Sequence, residues 1–245
     1  MLQCIAVSKE FGGLQALRKV DLAVKENTIA GLVGPNGSGK STLLNVISGV
    51  YKPDSGKIMF MNEEISKLPP YAVCSRGVTK TSQTVQSFPD MTTVENVLIG
   101  VLFARKQEKD NTDFARKAEE LLDFVGLGAD KFNVPAKSLN VVELRRVQLA
   151  RALATRPKLL LLDEILTGLT PKECDEAIAL VKLINNQGVT ILMVEHVMKV
   201  IMGLCETVTV LHHGEKICEG TPGEVCSDKG VREVYLGKKF EFDEE

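Results

Sequence analysis

The sequence predicts an α/β fold, a largely parallel sheet covered by helices and interrupted by an inserted helical segment. Three observations predict it. The apolar runs "KLLLLDE" and "VTILMVEH" flank an amphipathic stretch of helical length, the pattern of parallel strands buried on both faces. A glycine-rich segment joins the apolar run "IAGLV" to the apolar-faced "STLLNVISGV". From Thr92 to Thr155 the apolar spacing changes to the helical period of about 3.6 residues.

Taken in order, "LQCIAV", "VDLAV" and "IAGLV" read as strands separated by polar turns, and the last runs straight into the glycine-rich loop. The helix that follows turns Leu43, Leu44, Val46 and Ile47 inward; "YKPDSG" is a turn and "KIMFM" a further strand. "TVENVLIGVLFARKQ", "FARKAEELLDFVGL" and "SLNVVELRRVQLARAL" are the inserted helices. Beyond Arg156 the strands return around the helix "PKECDEAIALVKLINNQG", "LHHGEK" is a hairpin turn that leaves His212 and His213 without chemistry, and "KKFEFDEE" is a solvated charged end. The expected organisation is one domain over residues 1–245, with a core of 1–91 and 156–245, a helical subdomain of 92–155 and a charged tail of 238–245.

A chain of 245 residues with 44% hydrophobic and 25% charged side chains has the composition of a globular protein with a sizeable core. Thirty basic against 32 acidic side chains leave a net charge of -2, which points away from nucleic-acid partners. The six cysteines are scattered, with no Cys-x-x-Cys pair or histidine at zinc spacing, as expected in a reducing cytosol. No apolar run approaches the roughly 18 residues of a membrane helix, and residues 1–10 lack a signal-peptide core.

"GPNGSGKS", Gly34 to Ser41, fits the pattern G-x-x-x-x-G-K-[ST] and lies between a strand and a helix, the context the pattern requires. Glycines at 34, 37 and 39 let backbone N–H groups turn inward around phosphate oxygens, and the helix start adds its dipole. Pro35, Asn36 and Ser38 complete the loop, and Thr42 follows in the first helical turn. Lys40 offers a charge to the outer phosphates, and the Ser41 hydroxyl is a magnesium ligand. A flexible glycine turn is the plain alternative, and the flanking elements weigh against it.

A second motif, "LLLLDE", ends a buried strand in Asp163 and Glu164 at the carboxyl edge of the sheet. By itself an Asp-Glu pair there is a turn or a helix cap. Paired with the glycine loop it becomes a magnesium and hydrolysis site, Asp163 holding the metal and Glu164 polarising the attacking water. A nucleoside triphosphate and Mg2+ are the expected ligands.

With these residues in order, the sequence resembles the ATP-binding cassette (ABC) family of ATPases over nearly the whole chain. The resemblance implies a P-loop NTPase (RecA-like) core with a mixed sheet and an inserted helical subdomain. It also implies roles that the residue types alone do not. Phe11, in "FGGLQALRKVDLAV", matches the aromatic residue that stacks on adenine, although core packing is its ordinary reading. Gln83, in "KTSQTVQSFPDMTTVENV", matches the glutamine that reaches magnesium and the attacking water. His196, closing "ILMVEH", matches the switch histidine that contacts the γ-phosphate.

Family members work as dimers, each nucleotide lying between one subunit's phosphate loop and the other's signature loop. Here "LNVVE" stands in place of the usual Leu-Ser-Gly-Gly-Gln. Asn140 replaces the serine that bonds the γ-phosphate, Val141 and Val142 replace the glycines, and Asn140 with Glu143 resembles a capping box that keeps the helix start. Ile165 and Thr170 also depart from the usual proline and from the usual aspartate or asparagine. A homodimer would carry two weakened sites, whereas a heterodimer with an intact partner keeps one competent site, so the expectation favours a second, different ATPase subunit. A loop that tolerates the valines by a small shift is the alternative.

The stretches "SKEFGGLQAL" and "EGTPGEVCSDKGVREVYLG" look like the branched-chain amino-acid importer ATPases. The resemblance implies a peripheral subunit at the cytoplasmic face of the cell membrane, docked on integral transporter subunits through the helical lobe. The tail is also similar to lipopolysaccharide-export ATPases, which are homodimers, and an ATP-gated clamp with impaired hydrolysis is a third expectation.

Overall fold

The structure is a computed structural model that describes residues 1–82, 87–104, 113–195 and 198–236. In chain order the elements are β1 (Leu2–Phe11), β2 (Leu14–Val24), β3 (Ile29–Val33), α1 (Lys40–Ile47), β4 (Ser55–Phe60), β5 (Glu63–Glu64), α2 (Pro70–Ser75) and β6 (Val78–Lys80). There follow α3 (Thr93–Ala104), α4 (Phe114–Phe124), α5 (Val141–Ala154), β7 (Leu159–Asp163), α6 (Pro171–Asn186) and β8 (Thr190–Val194). The chain ends with α7 (Met198–Leu204), β9 (Thr207–His212), β10 (Glu215–Gly220), α8 (Pro222–Ser227) and α9 (Lys229–Leu236). Contacts divide these into two compact units, residues 1–70 with 190–245, and residues 71–189.

The first unit contains an antiparallel sheet ordered β2-β1-β4-β5, in which Leu2 lies opposite Val24 on one side and Phe60 on the other. Leu2, Cys4 and Val7 are buried while Gln3 is exposed, so β1 presents one apolar face. In the same unit β3 runs parallel to both β8 and β9, with Gly31 opposite Met193 and Val208. All five residues of β3 and of β8 are buried, as unbroken apolar runs require. The turn at "LHHGEK" is the expected hairpin: β9 ends at His212 and β10 starts at Glu215.

The second unit pairs β6 with β7 in parallel, Val78 opposite Leu159 and Lys80 opposite Leu161. The four long helices of this unit, α3 to α6, fall where the sequence predicts them. Asp113 caps α4 by accepting the Arg116 N–H, and Asn96 of α3 ties the preceding loop to its helix through Phe88. The short elements β5, β6, α2, α7, α8 and α9 escape the sequence reading, and for two of them the physical reason is plain. The strand β6 is only three residues long, too short to show alternation, and α8 is announced only by its cap, Thr221 with Glu224.

Candidate functional site

The glycine-rich loop leaves β3 and enters α1 through two residues that only glycine can occupy. Gly34 has φ 150°, and a Cβ there would sit 2.1 Å from the Leu211 carbonyl oxygen; at Gly39, with φ 105°, it would sit 2.6 Å from that of Ala16. The loop is pinned by the Ser38 N–H to the Pro35 carbonyl at 3.2 Å and by the Gly214 N–H to the Ser38 carbonyl at 3.0 Å. Asn36 and Gly37 form its exposed tip, and Ser41 and Thr42 are half-buried in the first turn of α1.

Lys40 is buried, and its Nζ donates to the carbonyls of Gly34 at 2.8 Å and Pro35 at 3.0 Å. Neutral carbonyls are weaker acceptors than phosphate oxygens, so the ammonium has a better partner to gain when an anion enters the loop. The Ser38 hydroxyl is buried without a hydrogen-bond partner among the described residues. A buried orphan hydroxyl, a cation resting on loop carbonyls and a helix N-terminus together fit a phosphate chain.

Phe11 does not belong to the core. Its ring is 40% exposed at the end of β1, edge-on to Tyr51 at 5.1 Å with the Lys9 ammonium 5.3 Å from its centroid. Lys9 in turn bonds Asp54 at 2.8 Å, and this bond, with the Glu10 N–H, holds the Asp54 carboxyl below the usual carboxylate range. Sequence reasoning passes over Tyr51 because "YKPDSG" reads as a turn.

In the second unit Asp163 is 3% exposed at the end of the fully buried β7, with the Lys80 ammonium 3.1 Å from its Oδ2. Thr81 reinforces the junction, its N–H donating to the Leu161 carbonyl at 2.9 Å. Glu164 adopts φ 53°, a left-handed conformation uncommon outside glycine, which turns the chain sharply after the buried strand. Carboxylate and hydroxyl oxygens are hard donors suited to magnesium, and the Asp163 carboxylate is already paired with one cation, the Lys80 ammonium. Lys80 is missed by sequence reasoning, because its partner is set by the β6–β7 register and by nothing local.

At the signature position the expected capping box is present. Asn140 Oδ1 accepts the Glu143 N–H at 2.9 Å, and the Glu143 carboxylate accepts the Asn140 N–H at 2.9 Å. The valines differ: Val141 is 59% exposed, whereas Val142 is half-buried and lines a cavity of about 350 Å³ with Phe124, Leu149 and Leu180. Further along α5, Gln148 donates from Nε2 to the Ser82 carbonyl at 3.0 Å, one residue before Gln83. Thr170 caps α6, accepting the Glu173 N–H, which gives this departure from the usual residue a local role. Gln83 and His196 lie outside the described residues.

Residues 17–167 match the family described as ABC transporter. The chain belongs to this family. The phosphate loop, the Asp163–Glu164 pair and the signature position of this ABC protein all lie inside the matched span, and residues 215–241 match the family described as branched-chain amino acid ATP-binding cassette transporter. The chain is 34% identical, over 97% of its length and 98% of the relative's, to the high-affinity branched-chain amino acid transport ATP-binding protein BraF of Pseudomonas aeruginosa. It is 35% identical to the lipopolysaccharide export system ATP-binding protein LptB of Haemophilus influenzae, with 96% of this chain and 97% of LptB covered. A solved dimer of an ATP-binding cassette in a post-hydrolysis state, bound to ADP and Pi, superposes with a TM-score of 0.83 at 28% identity, over 91% of this chain and 99% of that one.

The ABC chain is therefore a nucleotide-binding ATPase subunit of a transporter, of a type that dimerises and works with membrane subunits. Among the described residues no helix is long and apolar enough to cross a membrane.

Proposed function

We propose that this ABC ATPase energises the import of branched-chain or related amino acids, from the cytoplasmic face of the cell membrane and paired with a second, different ATPase subunit. The observation that carries the reading is the segment 215–241, whose likeness is to the branched-chain transporters specifically. The lipopolysaccharide-export reading has the full-length likeness to LptB in its favour.

In this reading the residues from Gly34 to Thr42 wrap the triphosphate and Phe11 stacks on the adenine. Lys40 exchanges its loop carbonyls for the outer phosphates. Ser41, Asp163 and Gln83 would hold magnesium, which when bound offsets the negative charge of the phosphates. Glu164 accepts a proton from the attacking water while His196 donates to the γ-phosphate. The partner's signature loop closes each site, so this chain's Asn140, Val141 and Val142 act on the partner's nucleotide. The helical segment 92–155 docks the membrane subunits, and opening and closing of the ATPase pair drives transport.

Reconstitution tests the reading. Vesicles that enclose ATP and carry the chain, its partner ATPase and the membrane subunits with the ATPases facing the lumen should accumulate labelled leucine and lose that uptake with Glu164→Gln. Uptake absent for every aliphatic amino acid in an assembly that still hydrolyses ATP would overturn the substrate assignment.

A further inference from the structure

We infer that Lys80 is a resident cation for Asp163, holding the place of the divalent metal until nucleotide delivers it. The inference rests on the reading of Asp163 as a metal-holding residue. Nearly all of the Asp163 side chain is buried, at 3% exposure, and a carboxylate so placed is stabilised by an opposite charge close by. Lys80 supplies one at 3.1 Å from a side chain itself only 14% exposed. The lysine is fixed there by structure: β6 runs parallel to β7 with Lys80 opposite Leu161, and Thr81 is locked to the Leu161 carbonyl through its N–H at 2.9 Å and its hydroxyl at 3.3 Å.

Two consequences follow from the charge. The ion pair at 3.1 Å holds the Asp163 carboxylate in place at the end of β7 in the nucleotide-free chain. A divalent ion reaching Asp163 alone meets a unit positive charge already at its oxygen, which weakens metal binding until phosphate oxygens add their own negative charge. Lys80 thereby couples metal binding to nucleotide binding. It acts through Asp163 and is a positioning residue, not a catalytic one.

The test is titration of Mn2+ into the full chain, followed by the loss of the free-ion electron paramagnetic resonance signal, with and without saturating ADP. Lys80→Met should bind Mn2+ at least about ten-fold more tightly than the unaltered chain in the absence of nucleotide, the direction set by removing a like charge a few ångströms away at the effective dielectric of a partly buried site. Lys80→Arg should stay within about two-fold, since the charge is kept. With ADP present the difference between Met and Lys should shrink. An unchanged Mn2+ affinity in Lys80→Met overturns the inference. If Lys80→Met is too unstable to titrate, its melting temperature should rise with millimolar Mg2+ while the unaltered chain's barely moves; no rise overturns it equally. Asp163→Asn separates the two levels: if it leaves Mn2+ binding in the presence of ADP untouched, the metal-holding reading of Asp163 itself is wrong, whatever Lys80→Met does.

Discussion

Asn140 and Glu143 hold each other in a reciprocal pair, side-chain oxygen to backbone N–H in both directions at 2.9 Å. The pair satisfies backbone donors at the start of α5 that helical geometry leaves orphaned. Replacing Asn140 by alanine should lower the stability of the chain by about 1 kcal/mol, the usual cost of a lost N-cap, and serine should restore most of it. Urea unfolding of the three proteins measures this directly.

The two valines that follow divide the signature problem. Val141 is largely exposed, while Val142 is partly tucked against the cavity between α5 and α6. The combined change Asn140→Ser, Val141→Gly and Val142→Gly should raise ATP hydrolysis by the assembled transporter, by up to about ten- to a hundred-fold if one charge-assisted contact to phosphate is regained. Of the two valines, the exposed Val141 should contribute more to that gain than Val142. Val142→Gly alone should chiefly cost stability, on the order of 1 kcal/mol for glycine in a helix. Equal hydrolysis by the triple variant and the original would show that the loop tolerates its valines.

Lys40 sits on two loop carbonyls that it can exchange for phosphate. Lys40→Ala should weaken binding of a fluorescent ATP analogue to this chain by roughly ten- to a hundred-fold, the scale of a hydrogen bond to a charged group. Its far-ultraviolet circular dichroism should be unchanged. Undiminished binding by a folded variant would remove the phosphate loop from the site.

Acid should destabilise the chain through a defined set of carboxylates. Asp54 is held below the ordinary range first by its Lys9 hydrogen bond; Glu95, Glu173 and Glu224 are lowered by the backbone N–H groups and then the hydroxyls of Thr92, Thr170 and Thr221. A carboxyl group depressed on folding contributes stability that is present above its unfolded value. That contribution disappears as pH falls through the folded value. Unfolding free energy should therefore be flat near neutrality and fall below about pH 4, the ordinary carboxylate range. Replacing Glu173 by glutamine should reduce the acid-dependent part, and an identical pH profile would contradict the assignment.

Two thiols should resist modification in the native chain. Burial pushes the Cys4 and Cys205 thiols up to about 12, with Asp21 and Glu195 adding to the shift. Thiolates are the reactive form, so a disulfide reagent at neutral pH should reach these two only after unfolding. Mass mapping of labelled peptides distinguishes them from Cys74, Cys174, Cys218 and Cys226, which are less buried.

What the sequence by itself determined is what neighbours along the chain can decide. The loop from Gly34 to Ser41 is legible because its glycines, lysine and serine lie between an apolar strand and an apolar-faced helix, and the box at Asn140 is legible because cap and partner are one helical turn apart. The tertiary structure alone decided the rest. Gly34 and Gly39 are obligatory because the carbonyls of Leu211 and Ala16 close over them, Tyr51 turns its ring on Phe11, Val142 leans on a cavity while Val141 faces out, and Lys80 meets Asp163. Capping and turning need only hydrogen bonds a few residues long. Burial, steric exclusion and charge pairing depend on groups distant in the chain, whose approach only packing can arrange.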